Sequence, residues 1–225
     1  MRARLHYELA AVDNRLSELV DLVTDGVGTA TEALLRQDQQ ASVEFESRKH
    51  LSDPLYEQVS TQVEVLMARQ APVASDLRYL LAMLRAVPEL EQSADLAAEI
   101  ARRGGHGIVA YLTPRARALV TRSGDVVTAM WQELRRAWHS RQLTGESLEA
   151  ARDELDDLHT SLTAEVAGGE MPASVTMDMA LIGRFYERLG DHAVIIATRL
   201  DGLSSWPGPL PGSDLGASCA QPPVT

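Results

Sequence analysis

The chain has 225 residues, of which 45% are hydrophobic and only 4% aromatic, and its formal net charge is −11 at pH 7. This length suits one large domain or two small ones, and the scarcity of aromatic residues predicts an aliphatic core of packed helices. An acidic chain without a cluster of lysine and arginine lacks the basic surface that nucleic acid requires, so nucleic acid is excluded as an expected partner. Cations, or a basic patch on another protein, fit better.

The cellular compartment is predicted from the same composition. The one cysteine, Cys219, lies near the C-terminus, so no internal disulfide framework is expected. The N-terminal segment "MRARLHYELA" is too charged for a signal peptide, and no apolar run approaches the length of about 18 residues that a membrane span needs. We therefore predict a cytoplasmic protein that does not insert into membranes.

Apolar residues recur at spacings of three and four with no sustained alternation, which predicts an all-α protein. Six helices are predicted, at about residues 5–36, 41–69, 75–103, 114–140, 146–166 and 172–203. Pro54 indicates a late start or a kink in the second helix, and Pro88 indicates a kink in the third. Thr113 and Pro114 have the residue types of an N-cap and a first helical residue, and they open the fourth helix.

The interior break "RGGHG" at 103–107 divides the six helices into three plus three. We predict two tandem antiparallel three-helix bundles, at residues 1–103 and 114–203. The remaining segment, 204–225, is rich in proline, glycine and serine and is predicted to be a disordered tail.

The third and sixth helices are similar to each other. When "ELEQSADLAAEIA" (89–101) is placed above "FYERLGDHAVIIA" (185–197), Glu91 aligns with Glu187 and Asp95 with Asp191, and both pairs are 96 residues apart. The apolar positions of the two segments align as well. The sequence therefore predicts a duplicated chain with a pseudo-twofold repeat.

Two pairs of carboxylates with a spacing of four lie on the last two predicted helices: Asp153 with Asp157, and Glu187 with Asp191. At about 100° per residue, each pair lies opposite the apolar stripe of its helix. A short connection makes the two helices antiparallel neighbours, so the four acids could form one cluster. Clustered carboxylates repel unless a cation lies between them, and oxygen-rich clusters suit Mg, Mn, Fe or Zn.

The alternative is that these acids belong to an ordinary solvated helix face. Small residues near the pair on the sixth helix (Ala180, Gly183 and Gly190) favour the cluster, because they would leave room for a cation. A carboxylate-bridged metalloenzyme is a further alternative, but it needs histidines that face the acids. His192 is predicted to pack near the apolar stripe and His159 to face sideways, so the sequence places no histidine there.

Three segments together resemble the PhoU family of phosphate-specific transport system accessory proteins: "LMARQAPVASDLRYL" (66–80), "ELEQSADLAAEIA" and "YERLGDHAVIIA". The resemblance covers about residues 1–203. It implies two tandem three-helix bundles, each with a surface metal cluster held by paired E/D-x-x-x-D motifs. It also implies a cytoplasmic negative regulator of phosphate-starvation signalling that contacts the ATPase of a phosphate ABC transporter and a sensor histidine kinase, and that is not an enzyme.

The resemblance implies a complete set of metal ligands in the second bundle, namely Asp153, Asp157, Glu187 and Asp191. The metal is expected to be Fe, Zn or Mn. In the first bundle the implied ligands are Glu91, Asp95 and Asp53, but Lys49 stands where another acid is expected.

A lysine opposes a bound cation, so the first site is expected to be weakened or empty, or plugged by Lys49 as an internal counterion. This departure indicates a diverged paralogue, and a metal-free paralogue with a structural or interaction role stays open as an alternative. A homodimer also stays open.

Overall fold

The computed structural model describes residues 2–70, 72, 75–140, 145–169 and 171–201. Within them the chain forms helices and turns and no strand, so the predicted all-α class is confirmed. The helices are α1 (Arg2–Arg36), α2 (Gln39–Gln70), α3 (Ser75–Arg103), α4 (Pro114–Ser140), α5 (Gly145–Ala167) and α6 (Ala173–Asp201). The predicted disordered tail at 204–225 lies outside the described residues.

The helix ends follow from local capping. The backbone N–H of Ala41 donates to Asp38 Oδ1 at 3.0 Å, which caps the start of α2. The predicted N-cap of α4 is confirmed, because the N–H of Ala116 donates to Thr113 Oγ1 at 3.0 Å. Between α3 and α4 the chain makes two short 3₁₀ helices, Gly104–His106 and Ile108–Tyr111. Gly107 joins them with φ of 67°, a left-handed conformation that suits glycine.

The predicted late start of α2 at Pro54 is wrong, since α2 begins at Gln39 and continues through the proline. Pro88 likewise lies within a continuous α3. Each proline removes one backbone hydrogen bond from its helix. Both prolines are exposed, so water can bind the carbonyl group that loses its partner.

The six helices pack as two bundles joined through equivalent helices. α1, α2 and α3 pack together, as do α4, α5 and α6. Between the halves, α1 packs against α4 and α3 packs against α6. Each of these helices therefore meets its own counterpart in the other half, as expected for two repeats related by a pseudo-twofold axis. We call these two contacts the α1–α4 seam and the α3–α6 seam.

Hydrogen bonds also connect the two bundles. The hydroxyl groups of Thr31 on α1 and Tyr186 on α6 lie 2.7 Å apart, and Trp138 Nε1–H of α4 donates to Ser17 Oγ of α1 at 3.0 Å. The apolar core runs through both bundles without a break. The chain between the two predicted bundles forms the 3₁₀ segment, and the division into domains at residues 1–103 and 114–203 stays a prediction.

A buried arginine closes the end of the α3–α6 seam. Arg103 Nη1 donates to the Glu99 carbonyl oxygen at 2.9 Å and lies 2.5 Å from Glu99 Oε2. Its Nε lies 3.3 Å from Asp178 Oδ1 of α6, and its guanidinium group stacks 4.8 Å from the centre of the Phe185 ring. This one side chain therefore joins the two bundles by charge and by cation–π contact.

The same cluster predicts a pH dependence. Partial burial raises the pKa of Glu99, but hydrogen bonds from Arg103 and Arg102 outweigh it, so the pKa lies below its ordinary value. The resulting stabilisation is present above the unfolded-state pKa and is lost as the pH falls through the folded-state pKa. In denaturant titrations, the wild type should lose up to about 1 kcal/mol more than Glu99→Gln between pH 6 and pH 3. Equal losses in the two proteins would contradict this.

Among the described helices, none combines the length and the apolar character that crossing a bilayer requires.

Candidate functional site

The predicted ligands of the first bundle lie on one surface formed by α2 and α3. We call this surface the first acid face, and it consists of Lys49, Asp53, Tyr56, Glu91 and Asp95. Lys49 Nζ lies 2.7 Å from Asp95 Oδ1 and 3.2 Å from Asp53 Oδ1. The lysine side chain is only 12% exposed. It therefore bridges the two helices, as expected for an internal counterion.

The contacts of Lys49 with Asp53 and Asp95 favour the charged forms of the lysine and of Asp53. Burial alone would lower the pKa of Lys49, but hydrogen bonds from its ammonium group to Asp95 and Asp53 outweigh that cost and raise the pKa. Burial raises the pKa of Asp53, whereas hydrogen bonds from His50 and Lys49 lower it overall. Both partners are thus held in their charged forms.

Tyr56 is the buried member of the first acid face. Burial raises the pKa of its hydroxyl group, and the charges of Glu91, Asp53 and Asp95 add to that shift. The hydroxyl is buried and has no hydrogen-bond partner among the described residues.

In the second bundle, two basic groups hold the predicted ligand Glu187. Arg184 Nη1 pairs with Glu187 Oε1, and His159 Nδ1 lies 2.5 Å from Glu187 Oε2. Burial raises the pKa of Glu187, but the hydrogen bonds from Arg184 and His159 lower it overall. The prediction that no histidine faces the acids is therefore wrong. His159 lies at the border between α5 and α6, from which its ring reaches the carboxylate.

Asp156 of α5 interacts with the acids of α6, in addition to the acids that were predicted. Burial raises the pKa of Asp156, and the negative charges of Glu187 and Asp191 raise it further. Asp153 is exposed and pairs with Arg152 at 3.2 Å.

Asp156 and Asp157 are both exposed. Sequence reasoning missed Asp156, and the ligand set Asp153, Asp157, Glu187 and Asp191 stays a prediction. We define the second acid face as Arg152, Asp153, Asp156, His159, Glu187 and Asp191.

The position of Asp156 could have been predicted by aligning α5 with α2. Asp53, Val59 and Val63 of α2 correspond to Asp156, Leu162 and Val166 of α5, and each pair is separated by 103 residues. The four aliphatic residues of these pairs are buried. The same shift places Lys49 on Arg152 and Tyr56 on His159. Both faces therefore carry a basic residue at the same position.

The glycines of α6 serve packing and do not leave room for an ion. Gly183 and Gly190 are buried, and a Cβ atom at Gly190 would lie 2.5 Å from Leu155 Cδ1 of α5. At Gly183 a Cβ would lie 3.2 Å from Leu162 Cδ2. Glycine at these positions therefore lets α6 approach α5 closely, whereas Ala180 is exposed.

The acids as placed do not form a ready metal site. Among the described residues, no three or more His, Cys, Asp or Glu side chains are arranged to hold an ion. Lys49 lies between the acids of the first face, and both oxygens of Glu187 in the second face already have basic partners. These side chains do not fit the clusters that the resemblance implies, and the metal site stays a prediction.

His192 packs as predicted, between the two bundles. It is 4% exposed, and its Nδ1 lies 2.8 Å from Ser93 Oγ of α3. The Ser93 hydroxyl donates to the Glu89 carbonyl oxygen at 2.6 Å, so it accepts the hydrogen bond from His192 Nδ1–H. This residue belongs to the α3–α6 seam and not to either acid face.

These features define a class of protein made of two duplicated three-helix bundles with acidic outer faces. The family model of the PhoU domain matches residues 16–104 and 120–200, which cover both bundles. The chain belongs to the PhoU family.

Relatives and solved structures agree with this membership. The chain is 28% identical over 204 residues to phosphate-specific transport system accessory protein PhoU homolog 1 of Mycobacterium leprae, covering 89% of this chain and 92% of that protein. It is 29% identical over 208 residues to PhoU homolog 2 of Mycobacterium tuberculosis, covering 89% and 96%.

The fold is similar to that of PhoU from Pseudomonas aeruginosa. The TM-score is 0.79 at 24% identity, and the match covers 88% of this chain and 98% of the other. The regulatory protein PhoU of the phosphate transport system from Streptococcus pneumoniae matches with a TM-score of 0.74 at 20% identity, over 89% and 97% of the two chains.

Proposed function

We propose that this chain is a cytoplasmic accessory protein that negatively regulates a phosphate transport system and its phosphate-starvation signalling. It acts by contact with the ATPase of the transporter and with a sensor histidine kinase, without catalysis of its own. The observation that carries the proposal is the match of the PhoU domain to both bundles. The names of the relatives, which are accessory proteins of phosphate-specific transport, support the same role.

The physical properties of the chain suit an adaptor. A formal net charge of −11 favours a partner with a basic patch, and such complementarity raises association rates and selects partners. The long helices present extended surfaces, and the continuous core holds the two bundles together. No step of the proposed function depends on a metal ion, because Lys49 lies between acids of the first face and both oxygens of Glu187 in the second face have basic partners.

The experiment is deletion of the gene in its native host, with a reporter of phosphate-starvation expression read in phosphate-rich medium. We expect the reporter to rise several-fold on deletion and to return to its basal level when the wild-type chain is restored. Purified chain should also co-elute with the transporter ATPase or with the cytoplasmic part of the kinase.

A deletion that leaves both the reporter and phosphate uptake unchanged would contradict the proposal and would favour a paralogue with a structural role. A variant that is expected to fold normally, Gly28→Ala, provides the control for complementation, since it should repress the reporter as well as the wild type does.

A further inference from the structure

We propose that the chain neutralises both acid faces with basic side chains of its own, Lys49 in the first and Arg152 with Arg184 in the second, so that neither face requires a metal ion. This inference goes beyond the proposed function, and its test is independent of phosphate signalling.

The first face supplies the more direct evidence. A lysine ammonium group has three N–H donors and no acceptor, so it can bridge two carboxylates as a bound cation does. Lys49 Nζ does this at 2.7 Å from Asp95 on α3 and at 3.2 Å from Asp53 on α2. Its side chain is mostly buried, so the positive charge lies between the helices and not in solvent. A divalent cation at this place would have to expel a like charge.

The second face carries a basic residue at the same position of the repeat, with a different contact. Arg152 holds the position of Lys49, and its Nη2 lies 3.2 Å from Asp153 Oδ1 on its own helix. The negative charges of Asp156 and Asp191, the counterparts of Asp53 and Asp95, also act on it. An arginine side chain keeps its charge in proteins, so this cation is permanent.

Glu187 of the second face also has basic partners. Arg184 pairs with one oxygen of Glu187, and His159 binds the other at 2.5 Å. His159 belongs to α5 and Glu187 to α6, so this bond joins the second and third helices of the bundle. Lys49 makes the equivalent connection in the first bundle. The link between these helices is therefore made by side chains in both halves.

The test removes each basic residue and asks whether a metal site appears. Lys49→Glu and the double variant Arg152→Glu/Arg184→Gln place an acid four residues before Asp53 and Asp156, and the double variant also removes the arginine that pairs with Glu187. Arg48→Glu is the matched control, since it makes the same charge change one residue away, where Arg48 is exposed and lies 3.5 Å from Asp25. Each untagged protein is purified without chelator, and its Mn and Zn content is measured by mass spectrometry. Calorimetry then gives its Tm in EDTA and in excess Mn²⁺ or Zn²⁺.

We expect the wild type and Arg48→Glu to carry only substoichiometric metal and to show the same Tm in EDTA and in metal. Lys49→Glu and Arg152→Glu/Arg184→Gln should bind metal, and their Tm should rise by about 5–10 °C at metal concentrations near 100 times Kd. Stoichiometric metal in the wild type that Asp95→Asn or Asp191→Asn removes would overturn the proposal. A folded Lys49→Glu that gains no metal would overturn it as well.

If Lys49→Glu does not fold, Lys49→Gln replaces it, since this change removes the charge without adding an acid. We expect a lower Tm in EDTA than for the wild type and recovery of that Tm with Mn²⁺. Absence of recovery would count against the proposal.

Discussion

Arg103→Met is expected to lower the free energy of unfolding by about 3 kcal/mol, because it removes a buried charge that joins two partly buried acids. The arginine side chain is 9% exposed, whereas that of Asp178 on the facing helix is 18% exposed. Methionine can keep part of the contact with Phe185 but none of the charge. Denaturant unfolding should show this loss, and the Tm should fall by about 6–12 °C.

The matched control is Arg102→Met. Arg102 also binds Glu99, at 2.7 Å, but its side chain is 49% exposed. Its removal should therefore cost no more than about 1 kcal/mol, as is usual for ion pairs on the surface. Equal losses from the two substitutions would show that Arg103 acts as one more surface charge and does not hold the α3–α6 seam together.

Gly124→Ala is expected to destabilise the protein by about 2 kcal/mol, although alanine is the better helix former. A Cβ atom at Gly124 would lie 2.2 Å from Thr31 Oγ1 and 2.7 Å from Thr31 Cβ. Overpacking of this kind costs about 1–3 kcal/mol, and displacing Thr31 leaves the buried Tyr186 hydroxyl unpaired at a further cost of about 1–3 kcal/mol. The gain in helix propensity, about 1 kcal/mol, is smaller.

Gly28→Ala separates the effect of helix propensity from that of overpacking, since Gly28 lies on the same α1–α4 seam. There a Cβ atom would meet only Thr128 Cγ2, at 3.7 Å, which is an ordinary van der Waals contact. This variant should be stabilised by up to about 1 kcal/mol through helix propensity alone. If thermal unfolding showed both variants to be stabilised, α1 and α4 could separate at no cost, which would contradict the packing described here.

Much of the fold could be predicted from the sequence, because each helix carries its own apolar stripe. The spacing of three and four is set by the geometry of the α-helix, and the pattern of residues such as Leu148, Leu155 and Leu162 shows which face is buried. The N-cap at Thr113 was predictable for a similar reason, since capping involves neighbours in the chain. Pro54 misled the prediction because packing on the rest of the helix outweighs one lost hydrogen bond.

The site was less predictable because it depends on where two helices meet. A helical wheel gives the direction of each residue but not the position of the neighbouring helix. Asp153 and Asp157 lie farthest from the apolar stripe and are exposed. Asp156 and His159 lie nearer the border, where they reach Glu187 and its neighbours. Gly190 was misjudged in the same way, because the close approach of Leu155 is a property of the helix pair.

The two seams have a mechanical consequence. Hydrogen bonds connect the bundles along both seams, through Trp138–Ser17 and Ser93–His192, and also from α1 to α6, through Thr31–Tyr186. A change in the angle between the bundles would have to break several of these hydrogen bonds together. The two bundles are therefore expected to move as one rigid unit. The separation of the two acid faces is then a fixed length of the molecule. A partner protein that contacted both bundles at once would therefore have to match a fixed spacing.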